Sequence, residues 1–366
     1  MPRENALTAV ATRLFRIPFW FQRKRPFAVP QKLLIIQPCC LQDILQTTPL
    51  LAVLHEHFPQ TQIDWLVNDT LRPALSGNPH LFRLQSAGDT GLYEMGWGQL
   101  RQLADTLRRE RYDTAIIPRS SSLLSWLAWQ VGIPQRVGLN VGGRGVAHTL
   151  SVYPSATATH PTQMQLSLLP AMGLSPSRTM ASRKMWFYPS DLDRTAVTRR
   201  LVEEVDWLGD APLVILNPGG GTGPGDPHYW PLERYVLLGN HLVRHCGAKV
   251  VLVGEEADQP IARDVRGMMI TAVANWTGQL TLGELGALCE VADLYIGNDV
   301  GSSCIAVATE CPTIVLFGAT SPEVSGPYAP QGQLTTLWHP APDLPAQSHA
   351  VTIAQAIAAS EESLRR

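Results

Sequence analysis

The apolar run Leu213-Val214-Ile215-Leu216 stops at Asn217, breaks into Pro218-Gly219-Gly220-Gly221-Thr222-Gly223-Pro224-Gly225, and resumes at Trp230-Pro231-Leu232-Glu233-Arg234-Tyr235 with helical spacing. A short continuous apolar run bounded by glycines reads as a strand buried on both faces, the kind found in parallel sheets covered by helices. The same glycines bare backbone N–H groups near a helix start, where a phosphate binds, although a plain turn uses them too. A second segment, Asp293-Leu294-Tyr295-Ile296-Gly297-Asn298-Asp299-Val300-Gly301-Ser302-Ser303, repeats the order of strand, small-residue loop and helix. Two such loops in one half of the chain point to a crevice for a nucleotide-linked ligand.

The first half follows the same grammar. Leu33–Ile36, Gln62–Val67 and Thr114–Ile117 read as strands, with helical spacing over Asp43–Phe58 and Leu100–Arg109 between them. Strands alternating with helices imply parallel sheets built by right-handed crossovers. A Pro-, Ser- and Thr-rich passage from Thr149 to Pro189, holding one helical piece at Gln163–Met172, separates this half from the next. The 366 residues exceed what one core usually supports, so the chain divides into an extension (1–30), a first Rossmann-like domain (31–190), a second (191–340) and a C-terminal segment (341–366). The last segment's helix is expected to cross back onto the first domain.

Composition excludes several classes. A net charge of −2 argues against a nucleic-acid binder. Six cysteines without a C-x-x-C pair, and histidines without zinc spacing, give neither a disulfide framework nor a metal site, which fits a cytoplasmic protein. No apolar stretch reaches the roughly 18 residues of a membrane span. Within 1–30, Arg13, Arg16, Arg23 and Lys24 alternate with Phe15, Phe19, Trp20 and Phe21. That mixture suits peripheral contact with an anionic membrane, or an extension packed on the first domain.

The wording of the loops goes further. Thr47-Thr48-Pro49-Leu50-Leu51, Gly77-Asn78-Pro79-His80, Arg136-Val137-Gly138, Asn217-Pro218-Gly219, Trp230-Pro231-Leu232-Glu233-Arg234, Gly297-Asn298-Asp299 and Leu316-Phe317-Gly318-Ala319-Thr320-Ser321-Pro322 occur in the order seen in glycosyltransferase family 9. The chain resembles these ADP-heptose:lipopolysaccharide heptosyltransferases over about residues 32 to 330. The resemblance implies an α/β, GT-B fold, with two Rossmann-like domains whose parallel sheets face a central cleft. It implies an inverting, metal-independent transfer, without cofactor, from a nucleotide-diphosphate sugar, an ADP-sugar in this family, to a lipid-linked saccharide at the inner face of the cytoplasmic membrane.

Site residues follow from the same resemblance. The family's first loop reads roughly R-x-S-S-x-G-D, its Asp being the proposed general base; Gln37-Pro38-Cys39-Cys40-Leu41-Gln42-Asp43 keeps the acid. Without the family, Asp43 reads first as a cap for the helix that follows. Cys39 and Cys40 read as small buried residues in place of serines rather than as nucleophiles. The donor diphosphate is expected on Pro218, Gly219, Gly220, Gly221 and Thr222, with His228 where the family carries Lys. It is expected equally on Asp299, Val300, Gly301, Ser302, Ser303 and Cys304, where the family reads D-T-G-P-M-H. Glu255, beside Glu256, stands where an acid meets the donor's ribose or base, or simply starts a solvated helix. The combined departures also fit a glycosyltransferase-like binding or scaffold module without turnover. A sugar-nucleotide epimerase is disfavoured by the ordered matches.

Overall fold

The computed structural model describes residues 26–89, 91–92, 94–155, 157–175, 184–220, 230–318, 321–330, 332–338 and 351–365. The basic and aromatic stretch up to residue 25 lies outside them, as do Gly221, Thr222 and His228. Two compact units divide the chain, residues 1–182 and 183–366. The sequence had placed this boundary at 190/191.

The first unit runs β1 (Lys32–Ile36), α1 (Leu41–His57), β2 (Gln62–Val67), β3 (Arg83–Ser86), α2 (Trp97–Arg109), β4 (Thr114–Ile117), α3 (Ser122–Val131), β5 (Gln135–Leu139), β6 (Leu150–Val152), α4 (Pro161–Leu166) and α5 (Leu168–Ala171). Its six strands lie in the order β3-β2-β1-β4-β5-β6, with every pair parallel. Leu33, Leu34, Ile35 and Ile36 are completely buried, as a central strand covered on both faces requires. One face packs Leu34, Ile36, Ala115 and Ile117 against Leu100, Ala104 and Leu107 of α2 and Leu124, Leu127 and Ala128 of α3. The helix expected over Gln163–Met172 is two pieces, α4 and α5, because Pro170 has no N–H to return to the carbonyl of Leu166. Strands β3, β5 and β6 escaped the sequence, β3 being polar and half-exposed, β5 carrying Gln135, Arg136 and Gly138 among its five residues, and β6 being only three residues long.

Helix α1 carries the Thr47-Thr48-Pro49 signature in its interior, where a proline should break it. The carbonyl that Pro49 cannot serve belongs to Leu45. The Thr48 hydroxyl donates to that oxygen at 2.6 Å, and the Thr47 hydroxyl donates to the Asp43 carbonyl at 2.7 Å. The motif therefore preserves the helix whose first turn holds Asp43.

The second unit runs α6 (Asp191–Val205), β7 (Leu213–Asn217), α7 (Leu232–Cys246), β8 (Lys249–Leu252), α8 (Gln259–Met268), β9 (Ala274–Asn275), α9 (Leu282–Val291), β10 (Leu294–Asn298), α10 (Gly301–Ala308), β11 (Thr313–Leu316), α11 (Pro322–Ser325), β12 (Leu334–Leu337) and α12 (Ile353–Leu364). Its sheet has the order β12-β11-β10-β7-β8-β9, again parallel throughout. Helix α12, expected to cross to the first domain, is found on the second unit against α7, β10 and β12. Two bonds set it there. The indole N–H of Trp230 and the guanidinium of Arg234 both donate to the Val351 carbonyl, at 2.9 and 2.7 Å. Trp230 is completely buried and meets Tyr235 edge-on, ring centroids 5.0 Å apart. The Trp-Pro-Leu-Glu-Arg-Tyr signature thus anchors the terminal helix. Among the described residues no helix is long and apolar enough to cross a membrane.

Candidate active site

In an open parallel sheet a ligand crevice forms at the carboxyl edge where strand order reverses, because the loops from the two central strands leave in opposite directions. The reversals fall between β1 and β4 in the first unit and between β7 and β10 in the second. Each of the expected loops follows one of these strands.

At the first reversal, Cys40 precedes α1 with φ of 69°, a left-handed conformation that a non-glycine residue adopts only when its surroundings impose it. That turn sets Asp43 in the first helical turn, where the helix dipole favours a carboxylate. Asp43 does not cap the helix: the cap position is Cys40, whose side chain accepts no backbone N–H of the first turn. Its carboxylate pairs instead with Arg119, from the loop after β4, with side-chain exposures of 15% and 25%. Burial pushes the Asp43 carboxyl above its ordinary value, outweighing the downward pull of Arg119 and of a hydrogen bond from Cys40. The Cys39 and Cys40 sulfurs are 3.4 Å apart as free thiols. Their shared hydrogen bond drives the Cys39 thiol up and the Cys40 thiol down to about 7. At the end of β1, Gln37 is 1% exposed, and neither atom of its amide has a partner among the described residues. The sequence missed Arg119 because one arginine after one strand has no pattern; only the β1–β4 pairing brings it to Asp43.

At the second reversal both central strands end in buried asparagines. Asn217 receives the Gly219 N–H on Oδ1 at 3.0 Å and donates from Nδ2 to Ser302 Oγ at 2.7 Å and Tyr295 Oη at 3.0 Å. Asn298 donates to the carbonyls of Pro218 and Gly219, at 3.3 and 3.0 Å, and accepts from Trp230 N and Tyr235 Oη, at 3.2 and 3.0 Å. Asp258, also missed from sequence, lies under the glycine loop and accepts from Gly220 N at 3.0 Å and Glu255 N at 2.9 Å. Glu255 itself is exposed at the start of a short 3₁₀ turn.

The glycines are dictated by these neighbours. A Cβ on Gly219 would stand 2.1 Å from the Asp258 carboxyl carbon, and one on Gly220, whose φ is 105°, 2.0 Å from Val300 Cγ1. Gly219→Ala is therefore expected to expel the Asp258 carboxylate and break both its loop bonds. The expected cost is about 2–4 kcal/mol, from overpacking together with two lost buried hydrogen bonds. Urea denaturation checks this, and an unchanged midpoint would mean that the loop does not rest on Asp258.

The second expected loop divides. Among the described residues no side chain caps the first turn of α10; the Ser303 N–H returns to the Val300 carbonyl at 3.1 Å, which leaves those of Gly301 and Ser302 for an anion. Gly301 and Ser302 are half-buried beside it, the Ser302 hydroxyl also facing Tyr295 at 2.9 Å. Asp299 accepts a hydrogen bond from Ser325. Val300 packs over Gly220. Ser303 and Cys304, expected among the donor contacts, are both completely buried; the Ser303 hydroxyl donates to the Val300 carbonyl at 2.6 Å. The helical period turns these two positions into the core while Gly301 and Ser302 remain at the edge.

Comparison with known proteins gives the family. Residues 100–352 match glycosyltransferase family 9 (heptosyltransferase). The chain is similar to lipopolysaccharide heptosyltransferase 2 of Escherichia coli K12, 23% identical over 313 residues, covering 84% of this chain and 88% of the relative. Lipopolysaccharide heptosyltransferase 3 of the same strain is 27% identical over 289 residues, covering 76% and 80%. Among solved structures, the family 9 glycosyl transferase of Veillonella parvula superposes with a TM-score of 0.80 at 21% identity, covering 92% of this chain and 97% of that one. The E. coli ADP-heptose lipopolysaccharide heptosyltransferase II gives 0.73 at 21% identity, covering 91% and 98%.

Proposed function

The chain belongs to glycosyltransferase family 9, and from that premise we propose that it is a heptosyltransferase of lipopolysaccharide core assembly, moving heptose from ADP-heptose to a lipid-linked saccharide by an inverting, metal-independent displacement. The observation that carries this reading is Asp43. It is a carboxylate at the carboxyl edge of the central strand pair, raised in pKa by burial and oriented by Arg119. An inverting displacement needs a base for the acceptor hydroxyl, and a carboxylate drawn toward neutrality is better matched to that proton. Arg119 holds the carboxylate in place, and the buried Gln37 amide offers a donor and an acceptor for a hydroxyl-rich acceptor.

The second unit takes the donor. The uncapped first turn of α10 and the strapped loop at Gly219 and Gly220 supply backbone N–H groups for the diphosphate, and the exposed Glu255 suits a ribose hydroxyl. Loss of the family's His at Cys304 removes a side chain while leaving the backbone cradle, so donor binding rests on main-chain groups. The acceptor is lipid-linked, and the protein works at the inner membrane face.

The test is binding followed by turnover. With ADP-heptose at about a hundred times Kd, the folded state should gain about 2.7 kcal/mol, seen as a rise in Tm that GDP-, UDP- and CMP-sugars do not produce. Transfer to a heptose-deficient core acceptor in the presence of EDTA should then follow. Binding without transfer would favour a scaffold module, and conversion of the donor without acceptor an epimerase.

A further inference from the structure

On the second unit, away from the glycine loops, helices α7 and α12 bring together His241, Cys246 and Glu361. One ligating atom from each lies within 4.8 Å of the other two, and all three residues are half-buried. Imidazole nitrogen, thiolate sulfur and carboxylate oxygen are the donor types that zinc and its neighbours bind at about 2.0–2.3 Å. We propose that these three side chains form a structural site for a divalent transition ion of the zinc class, with water as fourth ligand, clipping the terminal helix to α7.

The surroundings support a built site. His241 Nε2 and Glu361 Oε1 are 2.9 Å apart, a hydrogen bond in the metal-free protein that becomes two bonds to the ion once the imidazole is in its neutral Nδ1–H tautomer, with Nε2 bare, and the Cys246 thiol has given its proton to solvent. The other oxygen of Glu361 accepts from Arg365 at 2.8 Å, which fixes the carboxylate plane and leaves Oε1 for the ion. His245 stacks on His241, ring centroids 4.6 Å apart at 28°, and holds the imidazole against rotation. The ion has a mechanical use here, since the chain entering α12 carries the Val351 carbonyl to which Trp230 and Arg234 are tied. It has no part in sugar transfer: α7 begins at Leu232, after the donor loop, and Cys246 lies 14 residues along it, about 21 Å away at the helical rise. The expectation of no metal site rested on linear spacing. Cys246 follows His241 by five positions on one helix, and Glu361 comes from another, a spacing with no sequence signature.

The experiment titrates chelator-treated full-length protein with Co2+ and follows Zn2+ by thermal shift. One Co2+ per chain is expected, with a thiolate-to-cobalt charge-transfer band, and Zn2+ should raise Tm. Cys246→Ser should abolish the band, and Glu361→Gln, which keeps the size of the side chain while losing its charge, should weaken binding roughly a hundredfold and remove the Tm rise. A Cys39→Ser/Cys40→Ser double variant should keep both signals. Absence of the band in the native protein, or its survival in Cys246→Ser, would overturn the proposal.

Discussion

Asp43→Asn is expected to lower kcat by roughly a hundred- to ten-thousandfold, the usual contribution of a positioned general base, with little change in donor affinity. The fold should survive, and linkage gives the sign. The folded-state pKa of Asp43 is raised, so the stability linked to this group is complete below the unfolded value and is lost as pH rises through the folded one. Ionising Asp43 therefore costs the folded state stability, and the neutral amide should melt no lower than the native protein. The same shift predicts the pH profile. Activity should rise along an acid limb displaced upward from the ordinary carboxylate range. Arg119→Gln, which removes the charge that draws the carboxyl down, should move that limb higher still. Full activity of Asp43→Asn, or an acid limb that ignores Arg119, would remove Asp43 from the chemistry.

Asn298→Ala should show the largest loss of stability in the second unit, about 3–5 kcal/mol. The side chain is 2% exposed and holds four partners: the Pro218 and Gly219 carbonyls, the Trp230 N–H and the Tyr235 hydroxyl. Each buried group left unpaired costs about 1–3 kcal/mol, less whatever water recovers in the space vacated. Donor binding should go too, because the same amide joins the glycine loop to the start of α7. Asn298→Asp separates the two effects, keeping the acceptor for Trp230 and Tyr235 while losing both donations to the loop. Chemical denaturation with donor-induced melting shifts on both variants reads this out. A loss below 1 kcal/mol for the alanine variant would show that the loop is held elsewhere.

The Thr-Thr-Pro and Trp-Pro-Leu-Glu-Arg-Tyr signatures pointed correctly to a family while saying nothing of their own work. One restores a carbonyl orphaned by proline, and the other latches the last helix through Val351. Motifs are legible because residue order is a one-dimensional property, but a hydrogen bond between residues 230 and 351 is not.

By itself the sequence determined the class of fold. Runs such as Leu33–Ile36 and Leu213–Leu216 can be satisfied only as strands covered on both sides, and the helical spacing between them requires parallel crossovers. It also determined the loops of the candidate site, since Asp43, Gly219, Gly220 and Asp299 all follow such strands. Only the tertiary structure decided which groups meet there. Arg119 reaches Asp43 because β4 pairs with β1, Asp258 underlies the glycine loop because β8 pairs with β7, and Ser303 and Cys304 are spent on the core because the turn of α10 faces them inward. Strand pairing and helix phase are fixed by packing of the whole chain, which gives long-range contacts no local trace.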